Sequence, residues 1–356
     1  MDHIESIYTL TSADILITDE EYIVIESILC AARGAMAVLG VLGNIITIKT
    51  FMSMGLKDGL SVSYTFLAFF DSLYLSTVIA RAFSFVFTTL ETRSSFQTLF
   101  PVEPYGLYIF TGHAGRLPYV VSNLTTTFLA VARCLCVARP LQFKTMFSRK
   151  MTVMILFLFF CFSLASYLPV TTFMGISLQY FSKLNVTRAA LWVSSNTELM
   201  DILWAIRDAF IPFASQLIIF LCFIIMANCL RASHSFRRKH DLKYPNKPPI
   251  CTTNSVISGF GNGNRTKNFS RKDIQIVRQI SLICVVYVVC NTPTVLINLA
   301  RVYVPQFTLE KLYHNVYYTA TGFKHLFQTV NASFPIIIYL TYNTRFRQTQ
   351  SNRCFA

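Results

Sequence analysis

Long runs of hydrophobic residues recur seven times along the chain, and shorter polar segments separate them. A helix needs about 20 mostly apolar residues to cross a hydrocarbon core about 30 Å thick. The runs, numbered as spans one to seven, cover residues 28–51, 60–79, 108–131, 153–173, 209–230, 280–300 and 316–342. Span seven has the weakest pattern, because Lys324 and His325 interrupt its first half. The pattern predicts an all-α membrane protein whose residues 28–342 form a seven-transmembrane helix bundle.

Basic residues are concentrated in the segments that follow spans one, three, five and seven. The first 32 residues contain no Lys or Arg. Short loops rich in Lys and Arg stay in the cytoplasm. The chain is therefore predicted to be a multi-pass plasma-membrane protein with an extracellular amino terminus, residues 1–27, and a cytoplasmic tail, residues 343–356.

Composition narrows the range of functions. The net charge is +14 and 53% of the residues are hydrophobic. Because the positive charge lies beside membrane spans, topology and membrane lipids account for it, and we expect no nucleic-acid partner. The phosphate-binding, nucleophile-elbow and zinc-protease motifs GxxxxGK[ST], GxSxG and HExxH do not occur in the sequence. We expect no enzymatic activity, no cofactor and no metal centre.

Three features lie outside the spans. Residues 231–272 are rich in Pro, Gly, Asn and Ser, a composition that predicts a flexible cytoplasmic loop. Residues 343–356 alternate Phe with Arg and predict a short amphipathic C-terminal helix along the inner membrane surface, with Cys354 as a palmitoylation candidate. Asn185 begins a glycosylation sequon in the predicted outer loop between spans four and five.

Polar residues inside the spans need a physical reason, because a charge at mid-membrane costs about 2.5–3.5 kcal/mol. Asp71 lies in the middle of span two and Asn44 in span one, while Ser122 and Asn331 lie in spans three and seven. These four residues are predicted to form a polar cluster. Two interpretations stay open: a neutral Asp71 bonded to Asn44 for helix packing, or a switch linked to a sodium ion or a proton.

Several short motifs follow one another along the chain, each at a definite depth within its span. They are Gly43-Asn44, LAFFD ending at Asp71, VARCLCVARP with Arg133 and Pro140, Pro212 in span five, CNTP with Pro293, and the stretch from Asn331 to Tyr339. With these motifs the chain resembles the rhodopsin-like G-protein-coupled receptors over nearly its whole length. Phrases such as ARCLCVARPLQFKT look most like the molluscan chemosensory-type branch, close to the FMRFamide-type peptide receptors.

The sequence also departs from the family pattern. Ala132 stands where the family usually has an acid before its arginine, and Cys134 replaces the tyrosine after it. Asn291 replaces the usual tryptophan of span six, and Pro335-Ile336 replaces the Asn-Pro pair. The predicted outer loops contain no cysteine, so the family's outer disulfide is missing, which puts the order of these loops in doubt.

The resemblance implies a receptor that couples an extracellular ligand to a heterotrimeric G protein. Arg133 would release an inactive-state partner and meet the G protein, with Tyr339 in the same switch. Asp273 is a candidate partner, and a solvated charge at a helix start is an equal alternative. Pro212 and Pro293 would bend their helices, as switches or as fixed kinks.

Ionisable and polar groups near the predicted outer ends of the spans form a candidate ligand pocket. They are His113, Arg116, Arg207, Asp208, Asn291, Lys324 and His325. If Arg116, Arg207 and Lys324 converge, they suit a ligand that carries a carboxylate or phosphate. The alternative is that these side chains extend to the membrane interface. The ligand class, small molecule or peptide, stays open.

Other classes of protein remain as alternatives. A seven-span transporter or ion pathway could use Asp71 as an ionisable gate. A channel subunit of the insect odorant type is disfavoured by the acidic, outward amino terminus. A degenerate receptor that no longer couples would fit the residues found at Ala132, Cys134 and Asn291.

Overall fold

The structure, a computed structural model, describes residues 16–93, 99–138, 148–182, 185–194, 205–243, 271–304, 306–308 and 311–354. Its helices are α1 (Asp19–Met54), α2 (Gly59–Arg93), α3 (Pro104–Ala114), α4 (Arg116–Ala138), α5 (Arg149–Phe173), α6 (Ile211–Lys243), α7 (Arg271–Tyr303), α8 (His314–Ser333), α9 (Pro335–Tyr342) and α10 (Thr344–Cys354). Between α5 and α6 lie two strands, β1 (Met174–Phe181) and β2 (Val186–Val193), and a π-helix (Ala205–Phe210).

All seven predicted spans are helical. Span three comprises α3 and α4 with a turn at Gly115, span five comprises the π-helix and α6, and span seven comprises α8 and α9. Six of the described helical segments, α3 and α4 counted as one, are long and apolar enough to cross a membrane. Span seven is not among them: its helix is divided at Phe334, before Pro335, and its first part, α8, is less apolar because it carries polar residues that include Lys324 and His325.

The first helix begins at Asp19, nine residues before the predicted start of span one at residue 28. Thr18 caps the helix, and Glu21 closes a capping box with it. Asp19, Glu20 and Glu21 lie in the first turn, where acids stabilise the positive end of the helix dipole. Hydropathy indicates where the membrane begins, whereas these polar residues set where the helix begins.

Helices extend into both ends of the predicted flexible loop, residues 231–272. Helix α6 continues to Lys243 and α7 already starts at Arg271. Charged residues extend both helices beyond the apolar runs, and the part rich in Pro and Gly starts only after them. The prediction of flexibility for residues 244–270 lies outside the described residues.

A β-hairpin between spans four and five was not predicted. Strands β1 and β2 pair antiparallel from Met174 opposite Val193 to Phe181 opposite Val186. The hairpin docks on the segment before α3, where Glu103 N donates to Ala189 O at 2.8 Å. We call the end of the bundle that carries this hairpin the hairpin end.

Span three lies at the centre of the bundle, because α4 contacts helices of spans two, four, five and six. At the end opposite to the hairpin, four rings from spans one, two and seven and from α10 form an aromatic cluster: Phe51, Tyr64, Tyr339 and Phe346. We call this the Arg133 end. The predicted C-terminal helix is present as α10, and Phe346 is fully buried in the cluster. Phe346 thus packs α10 against the helices of the bundle.

Candidate functional site

Three cationic side chains and one carboxylate lie near one another between spans three, five and seven, towards the hairpin end. We call Arg116, Arg207, Asp208 and Lys324 the cationic cluster. Arg116 Nε lies 3.8 Å from Asp208 Oδ2, and Arg207 Nε donates to Asp208 Oδ1 at 2.9 Å. Arg207 is 2% exposed and its Nη1 has no hydrogen-bond partner in the described structure. With Lys324 protonated, the cluster carries more positive than negative charge.

Lys324 lies in this cluster without a bonding partner in the described part of the chain. It is 8% exposed, and its ammonium makes no hydrogen bond or ion pair with any residue that the structure describes. The charges of Arg116 and Asp208 both act on it. A buried charge without a partner is unfavourable, and a carboxylate or phosphate placed beside it would remove that penalty. The arrangement is therefore suited to binding an anion.

The backbone of span five is irregular where it presents Arg207 and Asp208. Both lie in the π-helix, and such turns occur mostly as local insertions at functional sites. Pro212 has no N–H to donate to the carbonyl of Asp208, four residues earlier. Asn298 of span six donates to that carbonyl instead, at 2.9 Å. Spans five and six are thus joined directly behind the cationic cluster.

Asn291, which stands in the place of the family's tryptophan, joins three helices. Its Oδ1 accepts from the Tyr119 hydroxyl at 3.2 Å, and its Nδ2 donates to Pro212 O at 3.3 Å. His325 lies deeper in span seven and bonds Gln328, its Nδ1 lying 3.0 Å from Gln328 Oε1. His113 is half-buried in span three. Of the predicted pocket residues, Asn291 therefore joins neighbouring helices, whereas His325 bonds within its own helix.

A second charged group joins spans one, two, three and seven at the hairpin end. Arg33 forms a buried ion pair with Glu26, one of whose oxygens also accepts from the Tyr108 hydroxyl at 2.9 Å. The Arg81 guanidinium lies over the Tyr108 ring, 4.4 Å from its centre. A Cβ at Gly322 would stand 2.7 Å from Glu26 Oε2, so the chain approaches the carboxylate closely there.

Part of this group can be found from the sequence. Glu26 and Arg33 lie seven residues apart, about two helical turns, and so roughly on one helix face. Tyr108 and Arg81 were missed as functional candidates. The signal that could have found Arg81 is its charge near the end of a predicted span, because such a residue needs a partner or a role.

The predicted polar cluster is only partly assembled. Ser122 Oγ donates to Asp71 Oδ1 at 2.5 Å, and Asp71 is 2% exposed. Asn44 does not bond Asp71: its Nδ2 donates to the carbonyl of Ala332 at 3.0 Å. Asn331 is half-buried, and its side chain makes no hydrogen bond with the residues that the structure describes. Asn44 thus fastens span one to the backbone of span seven, and Asp71 and Ser122 form a separate pair.

Arg133 is 7% exposed at the end of α4 and pairs with no acid among the described residues. Ala132 beside it is fully buried. The charge of Arg133 acts on the hydroxyl of Tyr64 in the aromatic cluster. Asp273 lies in α7, but its side chain is outside the described part of the structure.

The sequence matches the 7 transmembrane receptor (rhodopsin family) over residues 43–339, which is most of the chain. The chain belongs to this family. The seven-helix fold class is thereby confirmed, and the protein is a multi-pass membrane receptor. No curated protein sequence matches the chain.

The other residues predicted to function in this rhodopsin-family receptor lie at the hairpin turn, inside α7, in the aromatic cluster and at the end of α10. Asn185 is exposed at the turn of the hairpin, with a left-handed φ of 51°, and its Oδ1 accepts from the Tyr180 hydroxyl at 2.7 Å. Pro293 lies inside α7. Tyr339 is buried in the aromatic cluster beside Phe346. Cys354 ends α10, and its side chain is not described.

Proposed function

We propose that this receptor binds an anionic extracellular ligand at the cationic cluster and responds by activating a heterotrimeric G protein. One observation carries the ligand class: Lys324 is buried beside Arg116 and Asp208 and bonds none of the residues that the structure describes. A ligand carboxylate or phosphate would bond the ammonium and balance the excess positive charge. Each charge-assisted hydrogen bond is worth about 1.5–3 kcal/mol, or about 10- to 100-fold in affinity.

A ligand screen tests this proposal. Cells expressing the receptor with a promiscuous G protein would be exposed to pairs of carboxylic acids and their neutral amides. We expect responses to members of the acid set only, and a loss of about tenfold or more in potency for Lys324→Gln. Lys311→Gln, at an exposed lysine just before α8, is the matched control and should respond normally. Equal responses to acids and amides would refute the anionic ligand.

The Arg133 end is the proposed G-protein side. The family assigns coupling to this region, and Pro212 and Pro293 provide the bends through which spans five and six would move. Without an acid at position 132, Asp273 is our proposed inactive-state partner of Arg133. Asp273→Ala should then raise signalling in the absence of ligand. Unchanged basal activity at equal surface expression would remove Asp273 from this role.

The proposed orientation places the hairpin end and Asn185 outside the cell and α10 inside. Support comes from the Lys and Arg residues that follow spans one, three, five and seven. An epitope at the amino terminus should be accessible on intact cells, and Asn185→Gln should remove an N-linked glycan. Palmitoylation of Cys354 and a place in the molluscan chemosensory-type or FMRFamide-type branch belong to the same proposal.

A further inference from the structure

A membrane-facing groove and a small polar cavity adjoin between spans one and two, at the hairpin end. The groove has a volume of about 300 Å³, and its walls include Ala31, Gly34, Val86 and Leu90. This size is at the lower end of the range for small-molecule sites. Val86 and Leu90 are about half exposed, so the groove opens towards the acyl chains of the membrane.

The cavity behind the groove is lined by basic side chains. Arg33, Arg81 and His325 form its walls together with Cys30 and Ala82, and these last two residues also line the groove. The cavity has a volume of about 10 Å³, roughly the room for one water-sized group. An apolar chain in the groove would therefore have its end next to the cationic groups.

The arginines around the cavity lack a hydrogen-bond acceptor or a balancing charge among the described residues. Arg33 is 4% exposed; its Nη2 bonds Glu26, whereas its Nη1 has no partner in the described structure. Arg81 makes no ion pair or hydrogen bond with described residues, and its guanidinium lies over the Tyr108 ring. Within the described part of the chain, the two arginines and one glutamate leave one positive charge uncompensated. A single carboxylate would balance it, and its oxygens would accept from Arg33 Nη1 and from Arg81.

We propose that the cleft between spans one and two binds an amphiphilic carboxylate, a free fatty acid, with its alkyl chain in the groove and its carboxylate between Arg33 and Arg81. A carboxylate is the proposed head group because its single negative charge matches the one uncompensated positive charge, whereas a phosphate monoester carries about −1.5 to −2 at pH 7. This site is separate from the cationic cluster and does not depend on the ligand proposed there.

Photolabelling of the purified full-length receptor in phosphatidylcholine nanodiscs tests the site without a signalling assay. The probe is palmitic acid with a diazirine in its chain, and the labelled peptides are identified by mass spectrometry. We expect saturable labelling of residues in spans one and two. Unlabelled palmitate should compete about tenfold better than methyl palmitate, because only the acid can accept charge-assisted hydrogen bonds.

Two variants and a control locate the binding groups. Arg81→Gln should abolish the preference for palmitate over its methyl ester, and Ala31→Leu should fill the groove and lower total labelling. Ala35→Leu, one helical turn away on the exposed face of span one, does not line the groove and should label like the wild type. Labelling of a variant is compared with that of the wild type only when the two proteins unfold at the same temperature.

Three outcomes would overturn the proposal. Equal competition by palmitate and its methyl ester would show nonspecific filling of the groove by any acyl chain. Stronger competition by lysophosphatidic acid than by palmitate would refute the carboxylate head group. Equal labelling of Ala31→Leu and Ala35→Leu would place the probe elsewhere on the membrane-facing surface. The acid-to-ester comparison needs only the wild-type receptor, so a variant that fails to fold does not prevent the test.

Discussion

Arg188 in the second strand of the hairpin forms an ion pair with Glu91 near the end of span two, 97 residues earlier in the chain. The arginine side chain is 8% exposed and that of the glutamate 15%. All cysteines that the structure describes are free, so no disulfide holds this hairpin within the described chain. The ion pair and the backbone bonds between Ala189 and the segment before α3 hold the hairpin over the bundle.

Breaking this ion pair should loosen the hairpin. Glu91→Gln leaves the Arg188 guanidinium partly buried without a carboxylate, which we expect to cost about 1–3 kcal/mol. The measurement is thermal unfolding of the purified receptor, with Glu20→Gln at an exposed position as the control. The exchanged pair, Glu91→Arg with Arg188→Glu, should recover part of the loss. No recovery would mean that the charges themselves do not hold the hairpin.

The Tyr108 hydroxyl should contribute to the contact between spans one and three. Tyr108→Phe removes the donor to Glu26 but keeps the ring beneath Arg81, so the expected loss is about 0.5–1.5 kcal/mol. Tyr105→Phe, at an exposed tyrosine of the same helix, is the matched control. Both variants would be followed by thermal unfolding, and equal stability would contradict a role for the hydroxyl.

Asn298 should stabilise the bundle because Pro212 leaves the Asp208 carbonyl without its backbone donor. Asn298→Leu removes the donor to the Asp208 carbonyl, and we expect a loss of about 1–3 kcal/mol. In a Pro212→Ala background the backbone N–H returns, so the same substitution should cost less. A double-mutant cycle measured by thermal unfolding gives this difference. Equal costs in the two backgrounds would show that Asn298 acts independently of the proline.

Two interpretations of Asp71 stay open, helix packing or a switch linked to an ion, and the response of the receptor to sodium distinguishes them. If Asp71 takes part in a sodium-linked switch, replacing choline chloride by sodium chloride should raise the unfolding temperature of the wild type and leave Asp71→Asn unchanged. Ser122→Ala should reduce the effect by removing the neighbouring oxygen. A wild-type unfolding temperature that does not respond to sodium would favour the packing role.

The sequence predicted the helical spans well because each one needs about 20 apolar residues, a local property. The helix ends and the hairpin could not be predicted in the same way. Capping by Thr18 and Glu21 moves the start of α1 beyond the apolar run. The hairpin depends on contacts between distant segments, such as Arg188 with Glu91, which a single sequence does not reveal.

The sequence also predicted the candidate site only in part. The cost of burying charge singled out Arg116, Arg207, Asp208 and Lys324, and the structure places these residues near one another. It also separates residues that the sequence grouped. Asn44 bonds the backbone of Ala332 rather than Asp71, because helix rotation decides which side chains meet and residue spacing alone does not fix the rotation between helices.

Nucleotide exchange on a purified heterotrimeric G protein, reconstituted with the receptor, tests coupling through Arg133 most directly. The assay would compare the wild type with Arg133→Leu, using a carboxylate found active in the ligand screen. We predict ligand-dependent exchange by the wild type and its loss in the variant, while ligand binding at the cationic cluster stays within about threefold. Undiminished ligand-driven exchange by Arg133→Leu would contradict the account.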